Sequence, residues 1–93
     1  MLNPKQLETI FKGCANHRRI RILELINEQA SLSEIEIATH LKYCQKNTSE
    51  HLRRLRHAGL VTKHRQQNLV LHQLSALGTK MFSFAQDLKK PSD

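Results

Sequence analysis

The stretch LKYCQKNTSEHLRRLRHAGLV, residues 41–61, decides how this chain folds. Between Gln45 and His57 its apolar side is narrow: Thr48, Leu52 and Leu55 recur at helical spacing. The opposite side carries Lys46, Glu50, Arg53, Arg54 and His57 at i, i+4, i+7, i+8 and i+11, so these five share one face of a helix. Such a helix docks on a domain by one thin stripe and leaves a broad polar face outward. Ala58-Gly59 supplies its stop, because glycine takes the left-handed conformation that closes a helix. A brief turn over Lys42–Cys44 precedes it.

Toward the C-terminus, two β-prone runs follow, Leu60–His64 and Leu69–Gln73, joined by the polar turn Arg65-Gln66-Gln67-Asn68. They predict a hairpin. Ser75 then caps a last helix whose stripe is Leu77, Met81, Phe84, Ala85 and Leu88, and the Lys89–Asp93 tail is expected to fray. Toward the N-terminus, Ser33 and Glu36 form a capping box for a short helix in which Ile35, Ala38 and Leu41 are expected to face inward. Asn16 caps the helix before that, with Ile20, Leu23 and Ile26 in one line, widened by Ile22 and Leu25, ending near Asn27. Asn3-Pro4 opens a first helix, along which Leu7, Ile10 and Phe11 recur up to Gly13.

The 93 residues make one domain, and 39% hydrophobic content gives a thin core that a partner subunit would thicken. Charge is unevenly placed. Residues 42–73 hold Lys42, Lys46, Arg53, Arg54, Arg56, Lys63 and Arg65 against Glu50 alone, a net +6 out of the chain's +7. A basic segment between balanced ones is the footprint of a phosphate-binding surface. Binding to an acidic membrane would need a basic amphipathic helix with bulky apolar residues opposite, whereas here a glycine and a hairpin interrupt the segment. No apolar run approaches the roughly 20 residues of a membrane span, and no signal-peptide core follows Met1, so a cytosolic protein is expected.

Catalytic groupings are absent: there is no nucleophile with a base, no carboxylate pair and no glycine-rich phosphate loop. Ser49 and His51 fall on different helix faces. No cofactor is expected. Candidate metal pairs are Cys14 with His17, His51 with His57, and His64 with His72, and none matches well: Cys14 and His17 would need further ligands from elsewhere, His51 and His57 are six apart instead of four, and His64 and His72 depend on the hairpin register. Cys14 and Cys44 lie 30 positions apart, and reduced thiols are expected. Packing in the first helix accounts for Cys14. At the start of the polar helix, Cys44 sits where the macrodipole can lower a thiol's pKa, so an oxidant-sensing role stays open beside that of a plain turn residue.

The order helix, helix, short helix, polar helix, hairpin, helix is that of a winged helix-turn-helix. Two strings sharpen this. FKGCANHRRIRIL (residues 11–23) resembles the "LKALADPTRLRIL" opening of ArsR-type regulators, and residues 41–61 resemble that family's "LGLSQSTVSHHLKVLREAGLV". Similarity covers roughly residues 7 to 74. The 74–78 junction Leu-Ser-Ala-Leu-Gly resembles the "LTxxG" lead-in to the last helix of MarR-like regulators, the second choice of family. The resemblance implies a mainly α fold with a small β-hairpin wing, dimerising through its first and last helices, with the polar helix in the DNA major groove. It divides the single domain into dimerisation helices at 1–14 and 75–90, a helix-turn-helix at 33–57 and a wing at 60–74. The soft-metal Cys-x-Cys of some members is missing, since Leu32–Glu36 contains no cysteine. The Asp and His ligands that others carry on the last helix are missing too, with only Asp87 present there.

On this footing Gln45, Lys46, Asn47, Ser49 and Glu50 are placed to meet base edges, amides suiting adenine and lysine guanine. Glu50 either accepts from a cytosine amino group or pairs with Arg54, the pairing being the favoured role. Arg53, Arg54 and Arg56 are assigned to phosphates, and Lys63, His64, Arg65, Gln67 and Asn68 to the wing tip. Leu7, Ile10, Phe11, Leu77, Met81, Phe84 and Leu88 are the expected dimer interface. The expected function is a sequence-specific double-stranded DNA-binding repressor, homodimeric on a palindromic operator, with no effector that the sequence identifies. Two alternatives stay open. One is a winged-helix protein-interaction module whose basic face is incidental, and the other is a redox- or metal-responsive regulator.

Overall fold

A computed structural model describes residues 1–90. Along the chain come α1 (Pro4–Cys14), α2 (His17–Gln29), β1 (Leu32–Ser33), α3 (Glu34–Leu41), α4 (Gln45–His57), β2 (Val61–Gln66), β3 (Leu69–Leu74) and α5 (Ala76–Lys89). Side-chain caps set most of the helix starts. Asn3 accepts from the Gln6 amide while Gln6 reaches back to the Asn3 amide, both at 2.8 Å, so α1 also opens on a capping box. Asn16 accepts from the Arg18 and Arg19 amides, Ser33 and Glu36 form the expected box, and Ser75 accepts from the Gly78 amide.

Helix ends depart more from expectation. α2 runs on to Gln29 rather than stopping near Asn27, and the chain turns at Ala30 with φ 73°, a stop made without glycine. Lys42, left-handed at φ 59°, ends α3, and Gly59 at φ 78° follows α4 as expected. From the Lys89–Asp93 tail, Lys89 is the last helical residue and 91–93 lie outside the described residues.

The sheet has three antiparallel strands in the order β1-β3-β2. β2 and β3 pair from Val61↔Leu74 to Gln66↔Leu69, so the hairpin turn is the two residues Gln67-Asn68, with Gln67 at φ 58°. This is tighter than the four-residue turn expected, because Arg65 and Gln66 continue the ladder. β1, which pairs Leu32 with His72 and Ser33 with Leu71, was not foreseen: two residues carry no period to read.

The core gathers on Ile22, Ile26, Ile37, Leu52, Leu55 and Leu60, none of them exposed. Two expectations for inward-facing residues are corrected. In α3 the inward residue is Ile37, and Ile35 is 62% exposed. At about 100° per residue, Ile37, Leu41 and Ala38 span a narrower arc than Ile35, Ala38 and Leu41, and the narrower stripe is the one that seats. Ile20 is 36% exposed, lying at the edge of the arc made by Leu23, Ile26, Ile22 and Leu25. α5 crosses the start of β2 closely. Gly78 is buried there, and a Cβ on it would meet the Leu60 carbonyl oxygen.

Candidate nucleic-acid interface

α4 is held to the domain by Thr48, Leu52 and Leu55, all fully buried. Thr48 anchors the first turn as well, donating from Oγ1 to the Cys44 carbonyl at 3.0 Å. The rest of the helix is thereby turned outward. Gln45, Lys46, Asn47, Ser49, Glu50, Arg53 and Arg54 are all exposed.

Glu50 is engaged twice. Arg53 donates to it through Nε at 3.0 Å and Nη2 at 2.6 Å, and Arg54 through Nε at 3.1 Å. The expected pairing with Arg54 is present, and Arg53 at i+3, which was not expected, holds the carboxylate by both oxygens. A planar guanidinium one turn away matches both carboxylate oxygens in a way the i+4 partner does not. These arginines push the Glu50 carboxyl down to about 2, the Arg53 hydrogen bonds first. The carboxylate is thus occupied inside the helix face, and the three groups together keep one positive charge.

In the wing, Lys63, Arg65, Gln67 and Asn68 are exposed and His64 is half-buried. Strand alternation separates them, because cross-strand partners share a face. Lys63 is opposite His72 and Arg65 opposite Val70, while His64 is opposite Leu71 on the other side. His72 reaches Arg56 of α4, so Lys63 and Arg65 share the face turned to that helix. Between α4 and the wing is an open cleft of about 440 Å³, bordered by Gln45, Ser49 and Arg56 on one wall and Lys63, Asn68 and His72 on the other, with Glu34 at its α3 end.

A second set of basic residues joins this surface from α2, a segment outside the basic stretch 42–73. Arg18 lies 5.0 Å over the Tyr43 ring, just before α4. Arg19 Nη1 is 3.4 Å from His51 Nδ1, and its Nη2 donates to the Lys12 carbonyl. Burial, then Arg19 and Arg18, keep the His51 pKa below the ordinary histidine value. The run His17-Arg18-Arg19 behind the Asn16 cap was the available signal, but only the tertiary fold brings it to α4.

Cys14 is half-buried, donates to the Phe11 carbonyl at 3.4 Å, and burial raises its thiol pKa. Cys44 is exposed at the α4 N-cap, and the amides of Asn47 and then Lys46 lower its thiol pKa. Among the described residues no three His, Cys, Asp or Glu side chains converge as metal ligands, and no helix is long and apolar enough to cross a membrane.

On the far side of the domain, α1, α2 and α5 enclose an apolar groove of about 280 Å³ lined by Phe11, Cys14, Ile20, Met81, Phe84 and Leu88. Phe11, Phe84 and Leu88 are 51%, 52% and 70% exposed, and Leu7 39%. Ile10, expected at this face, is instead 7% exposed within the chain's own core. Leu77 and Met81 are partly buried against that core. Ile10 is one helical step from Phe11, enough to turn it from the surface to the interior.

The family model for bacterial regulatory proteins of the arsR family matches residues 16–63. The transcriptional activator HlyU of Vibrio cholerae is 32% identical over 78 residues, covering 84% of this chain and 71% of that protein. Among solved structures, HlyU from Vibrio cholerae superposes with a TM-score of 0.80 at 29% identity, covering 91% of this chain and 92% of the other. The homodimeric winged helix-turn-helix DNA-binding domain Mb0332 from Mycobacterium bovis, a possible ArsR-family transcriptional regulator, gives a TM-score of 0.82 at 26% identity, over 90% of this chain and 78% of that one.

Proposed function

This chain belongs to the arsR family of bacterial regulatory proteins, and from that premise we propose that it regulates transcription by binding a two-fold DNA site as a homodimer. The observation that carries the reading is the coincidence, on one surface, of the outward face of α4 with the basic wing. A helix with Gln45, Lys46 and Asn47 in its first turns presents amide and ammonium donors to base edges, and Arg53 and Arg54 near its other end meet the phosphate wall. The β2–β3 hairpin extends along the neighbouring backbone through Lys63, Arg65, Gln67 and Asn68, with His64 on its reverse face. In this division residues 33–57 are the helix-turn-helix and 60–74 the wing.

The apolar groove supports the dimer. Phe11, Phe84 and Leu88 form a continuous patch that a lone domain in water would leave wet, and a second copy of the same face covers it. The dimerisation helices are α1 and α5, within residues 1–14 and 75–90. Two α4 helices related by a two-fold axis then read half-sites separated by about 34–36 Å, one turn of duplex. By occupying such a site the dimer represses a promoter that overlaps it. Its place of action is the cytoplasm, where bacterial DNA lies, and its role is non-enzymatic.

Selection of bound duplexes from a random pool tests this. A palindromic consensus is expected. Affinity for it should fall about 10³–10⁵-fold between 50 and 200 mM salt if the dimer neutralises six to ten phosphates. Absence of any enriched sequence, with salt-independent retention, would overturn the reading.

A further inference from the structure

His72 is the one charged or titratable side chain among the described residues that is almost wholly enclosed, at 3% exposure, and DNA contact alone gives it no role. It stands in the middle strand β3, with Leu32 of β1 and Lys63 of β2 as its lateral partners. Its two ring nitrogens meet partners of opposite kind. Nδ1 is 3.2 Å from the Leu32 carbonyl oxygen, which can only accept, and Nε2 is 3.5 Å from Arg56 Nη1, which can only donate. Both contacts are satisfied together by one form of the ring, neutral with its proton on Nδ1. Burial, the first cause of its lowered pKa, favours that neutral form, and the neighbouring Arg56 and Lys63 act in the same direction.

Arg56 itself lines the cleft between α4 and the wing, with Lys63 on the opposite wall. When a helix occupies the major groove and a hairpin follows the adjoining backbone, one sugar-phosphate strand must pass over the seam between them. We propose that neutral His72 is a positioning residue that holds the Arg56 guanidinium in this cleft, where Arg56 binds the phosphate of the strand crossing it. The inference rests on the DNA-binding reading above; it gives the expected Arg56–phosphate contact its place in the cleft and adds His72 as the group that holds it there.

A proton added at Nε2 removes the acceptor and sets a cation against Arg56 and Lys63, with Glu34 the one carboxylate lining the cleft among the described residues. Arg56 then leaves the cleft. Acidification below the depressed His72 pKa therefore releases the phosphate contact, and the contact is present above it.

The test is equilibrium binding of a selected duplex over a series of NaCl concentrations. R56A should flatten the slope of log affinity against log salt by about one unit per subunit. H72N keeps a donor for the Leu32 carbonyl but has no acceptor for Arg56, so it should flatten the slope equally. H72Q places a carboxamide oxygen near the Nε2 position and should restore most of the slope. The double variant R56A/H72N should match R56A alone. An unchanged slope in R56A, or additive losses in the double variant, would overturn the proposal, whereas a wild-type protein that binds no duplex would overturn the DNA-binding reading with it. Nitrogen-15 shifts of the wild-type imidazole check the ring without any substitution: Nδ1 is expected to carry the proton, and a proton on Nε2 at neutral pH would contradict the proposal.

Discussion

Gly78→Ala places a methyl group where α5 lies against the start of β2. The new Cβ would overlap the Leu60 carbonyl oxygen and sit 3.0 Å from its carbon, and neither partner can give way easily. Leu60 is fully buried, its amide donates to the Leu55 carbonyl at 3.0 Å, and its carbonyl accepts from the Ser75 amide at 3.1 Å. Ser75 is fixed in turn, donating from Oγ to the Gly59 carbonyl at 2.6 Å and accepting from the Gly78 amide at 2.9 Å. α5 must therefore lift away. Forcing an extra carbon into a packed contact costs about 1–3 kcal/mol, and losing the Ser75–Leu60 hydrogen bond about 0.5–1.5 kcal/mol more. Alanine's better helix propensity returns about 1 kcal/mol, which leaves a net loss of roughly 0.5–3.5 kcal/mol. Urea denaturation of wild type and variant at one fixed protein concentration measures this, the concentration being held because a dimer's stability depends on it. DNA affinity should drop as well if α5 forms the proposed dimer contact, which would set the spacing of the two α4 helices. A variant as stable as wild type or more so would refute the seating of α5 on the Leu60 carbonyl.

Glu50→Gln should free Arg53 and Arg54 and so raise affinity for nonspecific duplex and steepen its salt dependence, as read by retention across a salt series. The carboxyl is depressed to about 2, so its pairing is fully present above the ordinary carboxylate range and is lost only as pH falls through about 2; the stability advantage of wild type over Glu50→Gln, read by urea denaturation, should be constant above about pH 5 and vanish in strong acid. Phe84→Glu with Leu88→Glu should give folded monomers by sedimentation, because both side chains stand mostly clear of the chain's own core. Lys46→Ala or Asn47→Ala should cost on the order of 1–3 kcal/mol and relax preference at particular base pairs, whereas Arg54→Ala should weaken all duplexes alike.

The parts legible in the sequence are those governed by local chemistry. Asn16, Ser33 and Ser75 mark their helix starts because a short polar side chain satisfies amides within its own turn. Thr48, Leu52 and Leu55 were readable because α4 has only one apolar stripe to seat. α3 offers two stripes within eight residues, one through Ile35 and one through Ile37, and the packing partner decides between them. Ile10 was misplaced for a similar reason, since an amphipathic helix at the edge of a domain is flanked by both core and surface. β1, the His72 contacts, and the approach of Arg18 and Arg19 to α4 depend on residues up to 40 positions apart, beyond the reach of any periodicity. Glu50 fell between the two cases: its pairing was expected, but helix spacing does not distinguish a two-oxygen grip by Arg53 from a single contact by Arg54.

The central claim is that the outward face of α4 and the adjoining wing read duplex DNA. Amide chemical-shift mapping on the nitrogen-15-labelled protein, titrated with a duplex carrying its selected site, tests it most directly. Perturbations should cluster at Gln45, Lys46, Asn47 and Ser49 and at 63–68, weaken as salt is added, and leave the α1–α5 groove unmoved. Shifts centred on Phe11, Phe84 and Leu88, with residues 45–50 silent, would contradict the account.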